Sequence, residues 1–111
     1  MVPVYLSTAQ GSSNYKVDVS LALKFGDFLS SARQFRAVLD TGAAPVIVCR
    51  DALPIDAEIR PLREPPLLID AQRKAISILG VVSCRVKMGC KDYPVQALVA
   101  KTLSVYLLLG T

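Results

Sequence analysis

Between Tyr15 and Phe25 apolar and polar residues alternate almost without error, with Tyr15, Val17, Val19, Leu21, Leu23 and Phe25 on one face and Lys16, Asp18, Ser20 and Lys24 on the other. A period of two sends successive side chains to opposite sides of an extended chain, so the segment predicts a strand with one face in a core and one in water. Gly26 and Asp27 open a polar loop, and Gln34 to Leu39 predicts a second extended run. The alternation returns later: Val82, Cys84, Val86 and Met88 oppose Ser83, Arg85 and Lys87, Gly89 to Asp92 turns the chain, and Tyr93 to Ala100 comes back with Val95, Ala97 and Val99 in register. That pattern predicts a β-hairpin.

Between these halves stand Pro61, Pro65 and Pro66, which remove backbone donors and predict a loop rather than a helix. The loop leads to Leu67, Leu68 and Ile69, then to the polar stretch Asp70 to Lys74, then to the apolar arm Ala75 to Leu79. Two short apolar arms around a polar centre predict a projecting hairpin. No window has convincing apolar spacing at three and four residues, although Asp51 to Glu58 has room for a single helical turn. The expected fold class is therefore all-β, with at most one short helix. A faint internal echo runs through the chain, since Val38-Leu39 before Asp40-Thr41-Gly42 is answered by Leu107-Leu108-Leu109-Gly110.

Size and composition narrow the picture. With 111 residues and 52% hydrophobic content, the chain suits one core and one domain spanning 1–111. The 13 basic and 9 acidic residues leave +4, spread along the chain, a balance read as solubility rather than nucleic-acid binding. Aromatics at 6%, with no basic stripe interleaved among them, also speak against a nucleic-acid partner. The longest apolar stretches, Ala43 to Cys49 and Val105 to Leu109, fall far short of the roughly 20 residues that span a bilayer, so no membrane partner is expected. No secretion signal is recognisable at the start of the sequence.

The chain has no His, which removes Cys-His and Ser-His nucleophile systems. Its three cysteines, Cys49, Cys84 and Cys90, are odd in number and form no Cys-x-x-Cys pair, so neither a disulfide framework nor a zinc site is expected. Buried free thiols are the reading, and no metal or cofactor is expected. The sharpest chemical signal is Val38-Leu39-Asp40-Thr41-Gly42-Ala43. An Asp-Thr-Gly triplet arises by chance in roughly a few per cent of chains of this size, and Asp before Gly is common in ordinary turns. Here, however, the carboxylate leaves an apolar strand and the apolar Val46 to Cys49 follows, an enclosure that a surface turn would not need.

In these residues the chain resembles the retropepsins, the aspartic proteases of retroviruses and long-terminal-repeat retrotransposons. The apolar-apolar-Asp-Thr-Gly-Ala turn, a flap-like hairpin at Leu67 to Leu79 and the closing apolar-apolar-Gly at Leu107 to Gly110 come in the family's order. Ile78-Leu79-Gly80-Val81-Val82 and the Gly89 turn before Tyr93-Pro94-Val95 are similar to retrotransposon members, and the resemblance runs from about Tyr15 to Thr111. It implies a closed β-barrel with a flap hairpin and an aspartic endopeptidase that processes a retroelement polyprotein. Its catalytic residues would be Asp40, Thr41 and Gly42.

The family's mechanism needs two carboxylates, so the second would be Asp40 of a homodimeric partner, with the two Thr41 residues interlocked beneath the pair and Gly42 letting the backbone approach substrate. Ala43, Ala44 and Ile47 would floor the substrate cleft, Ile69, Asp70, Ala71 and Gln72 would cover it, and Tyr106 and Leu108 would flank it. The apolar lining implies hydrophobic or aromatic residues around the scissile bond, and Ala43, where pepsin-like relatives commonly carry Ser, implies an optimum at weakly acid pH. For Ile47 and Leu108 plain core packing is the competing reading.

The chain departs from the family's pattern in having Ala44 and Pro45 where retroviral members often carry an acid, and in lacking Gly between Asp70 and Lys74. A short helix and a dimerisation strand would be expected to follow Thr111. The expected location is intracellular, in the cytoplasm or within retroelement particles. The alternative function is a non-catalytic retropepsin-like module for dimerisation or peptide binding.

Overall fold

The computed structural model describes residues 4–5, 15–25, 27–40, 45–69, 73–103 and 106–110. The strands, in chain order, are β1 (Val4–Tyr5), β2 (Tyr15–Phe25), β3 (Phe28–Leu29), β4 (Arg33–Asp40), β5 (Ile47–Cys49), β6 (Leu68–Ile69), β7 (Ala75–Ile76), β8 (Ile78–Met88), β9 (Lys91–Ala100) and β10 (Leu107–Gly110). One short 3-10 turn, Arg50–Ala52, falls at the start of the stretch expected to hold a helical turn.

Strands β2, β4, β10, β5, β9 and β8 follow one another in a single sheet, and a further β2–β8 pairing joins its two ends. The sheet is thus a closed barrel, which leaves none of these six strands with an open edge along its paired length. Closure uses Ser20 opposite Lys87 through Leu23 opposite Cys84, so β2 pairs with β8 on one edge and, from Tyr15 through Leu21, with β4 on the other. The fold is all-β with a closed barrel, and the hairpin expected at Leu67 to Leu79 is present as antiparallel β6 and β7.

The barrel interior is built from the alternating faces read in the sequence. Val19, Leu21 and Leu23 of β2, Val82, Cys84 and Val86 of β8, and Ala97 and Val99 of β9 are buried together with Leu107 and Leu109 of β10. Burying one such Leu or Val side chain stabilises the fold by roughly 1.5–3 kcal/mol. Outward positions carry the charge, as in the Arg85 Nε to Asp92 Oδ1 ion pair at 2.7 Å across β8 and β9.

The loop between Leu53 and Leu67 forms no helix; it packs Ala57 and Ile59 against the barrel core and runs along the edge of β8. It is fastened where the Arg60 and Val81 backbones exchange two hydrogen bonds, at 2.9 and 2.8 Å. The Arg60 guanidinium also donates to Ser83 Oγ and Gln96 Oε1. This fastening lies next to an irregularity in β8, where Ile78 pairs with Ala100 but Gly80 pairs with Val99, leaving Leu79 as an extra residue.

Cys49 and Cys84 are buried free thiols, but Cys90 is exposed. The expectation of three buried thiols fails there because Gly89 and Cys90 form the turn between β8 and β9, where no second layer covers the chain. Burial pushes the Cys84 thiol up from its ordinary 9.0 to about 12. The folded chain therefore holds this proton over a pH range in which the unfolded chain has lost it, and stability falls as pH rises from 9.0 toward about 12. At pH 8 a thiol reagent is expected to modify Cys90 first and to reach Cys84 only with denaturation, which mass spectrometry of the labelled peptides would check.

Candidate active site

Asp40 is the last residue of β4, at the point where the apolar run Ala37-Val38-Leu39 ends. Its backbone is fixed from the side: β10 lies parallel to β4 with Leu108 opposite Val38, Leu109 opposite Leu39 and Gly110 opposite Asp40. The two segments of the internal echo are therefore neighbours, laid in step. On its other edge β10 runs antiparallel to β5, with Leu107 opposite Val48 and Leu108 opposite Ile47.

This order has a geometric consequence. Strands β4 and β5 are consecutive in the chain yet are not neighbours in the sheet, because β10 lies between them. Thr41, Gly42, Ala43 and Ala44 follow β4 in the sequence and lie outside the described residues, as do Asp70, Ala71 and Gln72. What is described is the frame that carries them. Strand β10 is buried on both faces, which explains a continuous Leu107-Leu108-Leu109 run in place of alternation. Leu107 and Leu109 point into the barrel core, and Leu108 points into a second apolar layer.

That second layer is made by Ile47, Leu68, Ile76, Ala100 and Leu108. Leu68 and Ile76 come from the hairpin, so β6 and β7 lie over the outer face of β10 and β5, beside the strand that ends in Asp40. Ile47, expected on the cleft floor, and Leu108, expected at its flank, are brought together there at 0% and 1% exposure. Ile69, at the end of β6, is half-buried. Tyr106 is 59% exposed, and its carbonyl accepts a hydrogen bond from the Cys49 N–H at 2.8 Å. The structure thus gathers Ile47 and Leu108 under the hairpin and leaves Tyr106 at the surface.

Sequence reasoning passed over Leu68, Ile76 and Ala100 as members of this layer. The signal was present in the two apolar arms, whose inward residues have to cover something. The hairpin turn also accounts for the missing glycine, because Arg73 takes the left-handed conformation, with φ 64°. An L residue holds that conformation at a cost of about 1–2 kcal/mol, which the rest of the hairpin offsets.

An apolar cleft of about 220 Å³ lies elsewhere, lined by Leu21, Leu23, Phe35 and Leu53 among others. It borders Arg33 and Phe35 at the start of β4, whereas Asp40 ends that strand, so it contains none of the residues expected at the site. No protein-family model matches the chain, and no curated protein matches it. The fold and the described frame define an all-β closed barrel with a covering hairpin and a carboxylate-bearing residue at the end of one barrel strand.

Proposed function

We propose that the chain is an aspartic endopeptidase of the retropepsin type, active as a homodimer in which each subunit supplies Asp40. The observation that supports this most is the side-by-side placement of Asp40 and Gly110 at the ends of two parallel, buried strands. Such a frame holds a strand terminus rigidly, as a positioned catalytic group requires.

In the proposed reaction two Asp40 carboxyls share one proton and hold one water, because two carboxylates in contact cannot both ionise easily. The ionised one takes a proton from the water as its oxygen attacks the peptide carbonyl carbon. The protonated one hydrogen-bonds the carbonyl oxygen as charge develops there. Collapse of the tetrahedral intermediate breaks the C–N bond, the amine leaves with a proton, and the pair returns to its shared-proton state. The substrate would be an extended, apolar segment of a polyprotein, held partly by main-chain hydrogen bonds.

One chain holds one Asp-Thr-Gly, so the dimer is the testable core of this reading. In dilute protein, tenfold further dilution should lower the cleavage rate of an apolar decapeptide by about a hundredfold, because dimer concentration varies as the square of monomer. Sedimentation over the same range should show dimer dissociating in step. A rate strictly proportional to protein, with only monomer sedimenting, would end the proposal. The second reading, a non-catalytic module for dimerisation or peptide binding, is favoured by the closure of Ile47 and Leu108 beneath the hairpin.

A further inference from the structure

The hairpin belongs to a three-stranded sheet in the order β1-β6-β7. We propose that β1 is an autoinhibitory strand, seated on the edge of β6 where an extended peptide would otherwise add, so that substrate must displace it. The inference rests on the peptidase reading for the identity of the competing ligand.

The observation behind it is a strand pairing. Strand β1 runs parallel to β6, with Val4 opposite Leu68 and Tyr5 opposite Ile69. Strand β6 is therefore an inner strand, with β7 on one side and β1 on the other. An exposed strand edge binds extended peptides through main-chain hydrogen bonds, and here that edge is occupied by the same chain. On the opposite side β7 has no strand partner among the described residues, but it is anchored closely to the barrel. Strand β7 passes through Ser77 directly into barrel strand β8, and the Ser77 carbonyl accepts a hydrogen bond from the Lys101 N–H at 2.9 Å, just beyond the end of β9. The β6 edge faces away from this anchor, and it is the edge that a departing β1 would leave open to an extended peptide. It also borders the layer in which Leu68 packs with Ile47 and Leu108.

The strength of the contact suits a displaceable strand. A pairing of two residues is marginal by itself and holds mainly because its partner is tethered. Tethering within one chain gives an effective concentration in the range of about 1 mM, so a peptide competes only when its affinity or concentration is comparable. Obstruction of this kind raises KM and leaves kcat alone, since the substrate complex, once formed, no longer contains β1 on that edge.

The test is a double substitution, Val4→Pro with Tyr5→Pro, which removes both backbone N–H donors of β1 and leaves the hairpin and Asp40 intact. With an apolar decapeptide as substrate, KM is expected to fall about tenfold with kcat unchanged. A synthetic peptide of residues 1–8 added in trans should then inhibit competitively. A protein starting at Leu6 gives the same readout if the proline variant does not fold. An unchanged or raised KM in a folded variant overturns the inference while leaving the peptidase reading in place, provided Asp40→Asn still abolishes turnover. Equal turnover by wild type and Asp40→Asn removes the peptidase reading, and the autoinhibitory role falls with it.

Discussion

A chain carrying Asp40→Asn is expected to hydrolyse an apolar decapeptide at least about a thousandfold more slowly than wild type while folding to the same barrel. In the proposed dimer one substitution removes both carboxylates, so the water loses its base and the carbonyl oxygen loses its acid together. Asn keeps the size of the side chain and the backbone N–H and C=O groups, so the ladder that sets Asp40 opposite Gly110 is unaffected. Parallel cleavage assays with matched circular dichroism spectra check both halves of the expectation. Equal turnover by the two proteins would remove Asp40 from the chemistry. Complete inactivity of both, with dimer present in sedimentation, would leave the peptide-binding module as the surviving reading.

The largest expected loss of stability is at Gly80. A Cβ there would lie 2.8 Å from the Arg60 carbonyl carbon and 2.9 Å from Ile59 Cγ2, and closer still to the Arg60 carbonyl oxygen. The obstacle is mainly backbone, pinned by the paired hydrogen bonds between Arg60 and Val81, so it cannot swing aside as a side-chain tip would. Gly80→Ala should therefore destabilise by about 2–3 kcal/mol, the range of an overpacked core site. The unfolded-state benefit of replacing Gly, about 0.4–1 kcal/mol, opposes this without cancelling it. Thermal unfolding should show the midpoint lowered by roughly 10 °C. A midpoint within about 2 °C of wild type would mean that the loop is not held against β8 as described.

The barrel was legible in the sequence wherever one face is wet. Strand β2 falls on the Tyr15 to Phe25 alternation, and the β8 and β9 hairpin falls on Val82 to Ala100, because polar positions mark the solvent side and give the period away. Where both faces are buried the period vanishes. Strand β10 shows only as an apolar run, and its parallel place between β4 and β5 cannot be read from local pattern, since register with distant segments leaves no local mark. Two-residue strands such as β1 and β3 are too short to carry a pattern, and their pairing is decided by what lies beside them.

The site was legible to a different degree. Asp40 stood out because an acidic residue closes an apolar strand, whereas the echo at Leu107 to Gly110 reads only as a faint repeat and carries no sign that the two segments pair. The burial of Ile47 and Leu108 was one of two readings open to the sequence, and it depends on the hairpin folding back over them. The apolar arms within Leu67 to Leu79 show that the hairpin covers something, but not which surface it covers. The choice is set where the apolar underside formed by Leu68 and Ile76 meets Ile47 and Leu108.

The insertion of β10 between β4 and β5 has a consequence for the way the chain is made. During synthesis a nascent polypeptide that has emerged only as far as β9 exposes two bare, facing strand edges, with their gap waiting for a segment still inside the ribosome. A sealed barrel needs Leu107 to Gly110, so a nascent chain in which that segment has not yet emerged leaves Asp40 without its rigid neighbour.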